Sequence, residues 1–209
     1  MRTVRLPIAL LLMPPLLGSL ATVGVEAQDR PLSPRGEAAT NFGGTYDGRA
    51  YVGGAWIDVD YGRPIKRDRD LFGEGEDYGR SLLSGAPVWR LGANQSTRFS
   101  TDADLLFGDQ RLPAGEYSLF ALLAESEWTL IFSSWGAKQG YRDDDPDALW
   151  GAYNYTPDRD VLQTPMEVST IATSVDQFTI GFVDMGPTGG QMAIWWDDQY
   201  AKVAFSLAR

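Results

Sequence analysis

Apolar and polar residues alternate with a period of two along much of this chain. In residues 55–61, Ile57, Val59 and Tyr61 fall on one side and Asp58 and Asp60 on the other, which predicts a half-buried strand. Residues 177–184 repeat the pattern with Phe178, Ile180 and Phe182 inward, and Val203, Phe205 and Leu207 share a face near the C-terminus. Residues 97–100, 103–107, 116–123, 128–133, 150–155 and 160–169 read as further strands, with Pro165 marking an edge or a bulge. Residues 116–123 and 128–133 pair as a hairpin, and Leu112-Pro113-Ala114-Gly115 forms the turn before them. Gly53-Gly54 closes a hairpin with residues 49–52. Residues 191–196 and 202–207 form a terminal hairpin, so Trp195 and Trp196 point to opposite faces.

No segment keeps a helical period over three turns. Residues 65–84, with Lys66, Arg67, Asp68, Arg69 and Asp70 in a row, read as a long surface loop with one helical turn at most. Residues 138–149 form a second insert, with an acidic run at Asp143, Asp144, Asp145 and Asp147. Strands spaced about 8–12 residues apart predict an all-β antiparallel sandwich, jelly-roll-like or immunoglobulin-like, of about nine or ten strands. Residues 46–209 are expected to form that single domain, preceded by an extended, partly mobile lead-in over residues 28–45, rich in Pro, Gly, Ser and Ala.

The first 27 residues read as an export signal. Arg2 and Arg5 precede an apolar stretch over residues 6–20, and Val25-Glu26-Ala27 offers a cleavage site. The expected location is therefore periplasmic or secreted, with no membrane insertion after cleavage, because no later segment approaches the ~20 apolar residues of a spanning helix. The chain carries a formal charge of −10 and no Cys or His. The negative field argues against nucleic acid as a partner. Lack of Cys leaves stability to the core. Lack of His removes imidazole bases, Ser-His-Asp and Cys-His arrangements, and nearly every zinc or copper site.

One stretch, Trp89-Arg90-Leu91-Gly92-Ala93-Asn94-Gln95-Ser96-Thr97, concentrates an indole, a guanidinium, amides and hydroxyls. Arg63, Trp89, Arg90, Asn94 and Thr97 are the candidate ligand-binding residues: a guanidinium fork for a carboxylate, phosphate or sugar hydroxyl, with Trp89 as a stacking wall. The competing reading is a corner in which Arg90 binds carbonyls and Asn94 mimics a turn. The acidic run has oxygen ligands but not the spacing of a calcium loop, and reads as solvated. Asp58 with Asp60, and Glu125 with Glu127 if their strand is extended, are the carboxylate pairs that a glycan hydrolase would need, and Asp58 and Asp60 are expected to face water. The exposed share of Trp56, Trp128, Trp135, Trp150, Trp195, Trp196, Tyr141, Tyr153 and Tyr155 would suit sugar stacking, with core packing expected for most.

The blocks Ser33-Pro34-Arg35, Tyr61-Gly62-Arg63-Pro64, Leu71-Phe72-Gly73, Trp89-Arg90-Leu91-Gly92-Ala93-Asn94, Leu112-Pro113-Ala114-Gly115-Glu116-Tyr117-Ser118-Leu119, Trp128-Thr129 and Asp160-Val161 together resemble the bacterial exported family called domain of unknown function 2911. The resemblance implies a single exported β-rich domain and no assigned activity. The chain departs from that family's usual pattern at Gln95, where Glu is usual, at Gly62, where Ser is usual, and at Gln163, where Arg is usual. An amide at Gln95 cannot act as acid or base. The expected function is a non-enzymatic envelope binding or accessory module for a small-molecule, glycan or peptide ligand, with no catalytic residues, metal or cofactor. A carboxylate-based glycan hydrolase and a purely structural envelope component are the alternatives.

Overall fold

The computed structural model describes residues 31–208; the expected export signal lies outside them. Nine strands form one antiparallel sheet. They are β1 (Arg35–Asp47), β2 (Ala50–Gly62), β3 (Thr97–Thr101), β4 (Leu105–Phe107), β5 (Gln110–Leu112), β6 (Gly115–Leu122), β7 (Glu127–Ser133), β10 (Asp160–Gly186) and β11 (Gly189–Leu207). Their order is β1-β2-β3-β6-β7-β10-β11-β4-β5, and β8 (Gly136–Ala137) pairs in parallel with β9 (Ala148–Leu149) beside it. The fold is an all-β sandwich, as the period-two pattern predicts.

The two layers face each other through particular contacts. The Tyr61 hydroxyl of β2 accepts from the Ile180 N–H (3.0 Å) and donates to the Ile180 carbonyl (3.3 Å) in β10. Just beyond β2, Ile65 bridges to Gln177, and Phe178 N–H donates to the Pro64 carbonyl at 2.9 Å. Ile57, Val59 and Tyr61 of β2 are buried while Asp58 is exposed, so the alternation does sort the faces. In β6, by contrast, Tyr117–Ala121 is buried without a break. One face of β6 meets the main core. The other is covered by the 136–156 segment, which brings Leu149, Ala152 and Tyr155 against Val88, Phe120 and Ile131. A strand covered on both faces reads as a continuous apolar run, as this one does.

Several boundaries differ from the expectation. The lead-in is extended but is not loose from Arg35 onward: β1 pairs with β2 from Arg35↔Gly62 to Asp47↔Ala50. Gly53-Gly54 therefore lies inside β2 and closes no hairpin. Both glycines have positive φ (69° and 83°), and the ladder omits the pair Gly43 and Gly54 while the register on either side stays the same. A side chain at Gly54 would lie 2.5 Å from Asn41 Oδ1. Residues 160–169 and 177–184 belong to one strand, β10, with register shifts near Val175. The expected terminal hairpin is likewise one strand, β11, kinked at Asp197 (φ 55°), and it pairs with β10 across Pro187-Thr188. Residues 150–155 make turns, not a strand, because Gly151 and Asn154 both take positive φ. Pro165 sits in β10 before pairing with β11 begins at Glu167, so its missing N–H breaks no ladder on that side.

The long 65–84 segment contains two short helical pieces rather than one turn, a 3-10 helix over Gly75–Asp77 and α1 (Arg80–Leu83). It is not only surface: Leu71 and Phe72 are buried, and Phe72 stacks on Trp128 at 5.5 Å.

Candidate functional site

The Trp-Arg segment starts from an anchor. Trp89 N–H donates to the Ala121 carbonyl and Ala121 N–H donates to the Trp89 carbonyl, both at 2.8 Å. This bridge fixes the chain on β6, and the Trp89 ring enters an aromatic cluster. It lies edge-on to Trp128 (5.7 Å) and Phe178 (5.2 Å) and stacks on Trp196 (6.0 Å). The chain then turns through positive φ at Leu91 (48°), Gly92 (151°) and Asn94 (64°). Leu91 in that region is strained, and the Thr97 hydroxyl holds it by donating to the Leu91 carbonyl at 2.6 Å. Main chain packs directly on main chain here: a side chain at Gly62 would lie 2.1 Å from the Ala93 carbonyl oxygen. That contact accounts for glycine at a position where the family resemblance implies serine.

The expected set divides in two. Thr97 is fully buried and serves the turn. Arg63 is half-buried, with Nε donating to the Phe178 carbonyl and Nη2 to Thr179 Oγ1, each at 3.3 Å, so it ties the end of β2 to β10. Trp89 is 1% exposed, with its ring faces occupied, so it is a core residue that only borders the site and not a stacking wall. Arg90 and Asn94 line a groove.

That groove, about 430 Å³, runs between the 89–94 corner and the 65–84 segment. Arg67, Arg69 and Arg90 line it, Ile65 and Leu82 give it a small apolar wall, Trp196 borders it as a core residue in the way Trp89 does, and no carboxylate lines it. Arg69 is held in place by its own segment, with Nε donating to the Lys66 carbonyl (2.8 Å) and Nη2 to the Ile65 carbonyl (2.7 Å). Arg90 makes one long bond, Nη1 to the Asn94 carbonyl at 3.3 Å. Among the described residues none of the three arginines has an ion-pair partner. Burial pushes the Arg90 guanidinium below its ordinary pKa, the nearby Tyr153 opposing it slightly. Acids lie beyond the groove: Arg69 also borders a separate depression with Asp68, Asp70, Asp176 and Asp197. Arg67 and Arg69 were missed as site residues; the charged run at 66–70 in a long insert was the available signal.

This protein belongs to the family described as Protein of unknown function (DUF2911). The family model matches residues 46–205, which contain the corner and the whole arginine groove apart from Leu32 and Ser33. No curated protein and no solved structure matches the chain.

A second groove of this DUF2911 chain, about 340 Å³, lies on the outer face of β2, β3 and β6. Asp58, Asp60 and Glu116 line it with Arg35 and Arg98. Asp60 pairs with Arg35, and Glu116 pairs with Arg98 at 3.2 Å, which leaves Asp58 as the carboxylate without a guanidinium. Glu125 lies elsewhere and accepts from the Gly75 N–H at 2.5 Å. Glycoside hydrolysis needs one proton-donating acid and one free carboxylate across a gap. Two of these three acids are paired with guanidinium groups. Gln95 takes part as a tie: Oε1 accepts from Arg35 Nη1 (2.6 Å) and Nε2 donates to the Gln139 carbonyl (3.1 Å).

The acidic run is held by its own backbone. Asp143 accepts from the N–H groups of Gln139 (3.2 Å) and Asp145 (3.1 Å), which holds its carboxyl below the ordinary range. Among the described residues no cluster of three or more acids is placed to hold a metal ion, and no helix is long and apolar enough to cross a membrane.

Proposed function

We propose that this protein is an exported, non-enzymatic binding module, and that the arginine groove takes a small ligand or peptide end carrying a carboxylate or phosphate. One observation supports the reading above all: Arg67, Arg69 and Arg90 converge on one groove with no acid in its lining. Among the described residues none of the three makes an ion pair, which leaves their guanidinium groups able to meet an external anion. Guanidinium forks match planar carboxylate and phosphate oxygens, and Ile65 and Leu82 suit a small apolar portion of the same ligand. Asn94 contributes its amide at the rim. Export follows from the reading of residues 1–27.

Calorimetric titration with inorganic phosphate, succinate and a short peptide with a free C-terminus tests this. At least one should bind with an affinity that falls as salt rises, and Arg67→Ala and Arg90→Met should each weaken it. If none binds, or if binding ignores both substitutions, the groove is not an anion site.

A further inference from the structure

A further depression, whose lining shares no residue with that of the arginine groove, lies on the 138–154 segment. This segment has little regular structure, yet it is fixed. Asp145 accepts from the Asp147 N–H at 2.9 Å, Lys138 Nζ donates to the Asp143 carbonyl at 2.8 Å, and the Ser96 hydroxyl lies within reach of the Leu149 (3.2 Å) and Gly151 (2.5 Å) carbonyls. Leu149 and Ala152 are buried in the smaller core cluster. Arg159 closes the base by pairing with Asp147 at 2.5 Å while lying 4.0 Å over the Trp135 ring. A segment so constrained loses little entropy when a ligand arrives.

On this support two tyrosines are left unused by the fold. Tyr141 is 70% exposed and Tyr153 is 57% exposed. Most aromatic rings of this chain meet another ring, but among the described residues neither of these does, and neither does Trp150. All three line one depression of about 250 Å³, together with Lys138 and Asn154. We propose that this depression binds a neutral pyranose unit of a glycan.

The chemistry narrows the class. A depression just below the ~300–1,000 Å³ of drug-sized pockets has room for a single ring. Tyrosine offers rigid, amphipathic area with few torsions to freeze. A pyranose ring presents C–H groups to an aromatic face and hydroxyls around its rim, where the Lys138 ammonium, the Asn154 amide and the phenols can reach them. The Lys138 ammonium is already tied to the Asp143 carbonyl, and the exposed carboxylates of Asp144 and Asp145 on the same segment have no ion-pair partner among the described residues, which disfavours uronates and phosphosugars.

The test is ligand-observed NMR with calorimetry on the folded protein, using maltose, cellobiose, chitobiose and digalacturonate. The expected result is saturable binding of at least one neutral disaccharide and weaker binding of digalacturonate. Tyr153→Ala should weaken the neutral sugar about tenfold, Tyr141→Ala should act in the same direction, and the melting temperature should stay near the parent value. Arg67→Ala should leave the sugar affinity unchanged. The proposal is overturned if no neutral disaccharide binds, if binding survives both tyrosine substitutions, if digalacturonate binds best, or if Arg67→Ala abolishes it.

Discussion

Replacing Arg90 by Met separates the two roles its position allows. Met keeps an apolar stem where Arg90 Cδ packs near Gly151, so near that a Cβ added at Gly151 would lie 3.1 Å from that atom. What is lost is a charge and its one bond, to the Asn94 carbonyl at 3.3 Å. Hydrogen bonds of charged groups contribute about 1.5–3 kcal/mol at good geometry, where N···O distances are ~2.7–3.2 Å. This bond lies past that range. The guanidinium is also partly desolvated, with its pKa lowered, and removing it recovers that penalty. The net cost to folding should stay under about 1 kcal/mol, which for a domain of this size moves the melting temperature by ~2–4 °C at most. Binding should respond more strongly: loss of one charge-assisted contact weakens an anionic ligand by about ten- to a hundredfold. Urea unfolding followed by tryptophan fluorescence gives the first quantity and calorimetry with phosphate or succinate the second. A folding cost above ~2 kcal/mol with unchanged anion affinity would make Arg90 a strut of the corner and refute the argument.

Trp89→Ala should cost about 3–5 kcal/mol in the same urea experiment, because a fully buried indole packed on three aromatic rings is removed; a loss near 1 kcal/mol would mean the cluster repacks freely. Gly62→Ala should cost about 1–3 kcal/mol, since its Cβ would lie 2.1 Å from the Ala93 carbonyl oxygen and backbone must shift; an unchanged midpoint would deny that close approach. Asp104 is held below its ordinary value of 3.8 by the Ala114 N–H and then by Arg111. The stability it contributes is present above 3.8 and is lost as pH falls through the lower folded value. Melting curves should therefore steepen on the acid side below that point, and Asp104→Asn should flatten that limb; identical acid limbs would contradict the assignment.

The period-two pattern carried much of the fold because burial in β2 and in the later part of β10 is one-sided. It failed where both sides of a strand are wet. Residues 170–174 of β10 have no buried side chain, so the alternation fades and one strand reads as two. In β1 Phe42 is the one buried residue, and Gly, Ala and Thr around it resemble a linker. In β11 the kink at Asp197 interrupts a strand that pairing with β10 keeps continuous. The corner was legible as a cluster because its residues are neighbours in sequence. Its division into strut and groove was not. Arg63 finds its partners at Phe178 and Thr179, and Arg90 is joined by Arg67 and Arg69, all through pairings distant along the chain.

The same corner explains how an arginine can remain without a counter-ion. Gly62, Gly92 and Ala93 pack backbone against backbone, Thr97 pins Leu91, and Arg63 ties the end of β2 to β10. None of these contacts needs Arg90, so its guanidinium is positioned by a frame it does not help to hold. A group placed in that way gives up little freedom on meeting an anion. Gln95, at the next turn of the chain, has the opposite assignment. Its amide accepts from Arg35 and donates to the Gln139 carbonyl, and a carboxylate could make only the first bond. At that position this chain therefore has a side chain that joins β1 to the 136–139 segment by two hydrogen bonds, of which a carboxylate would lose one.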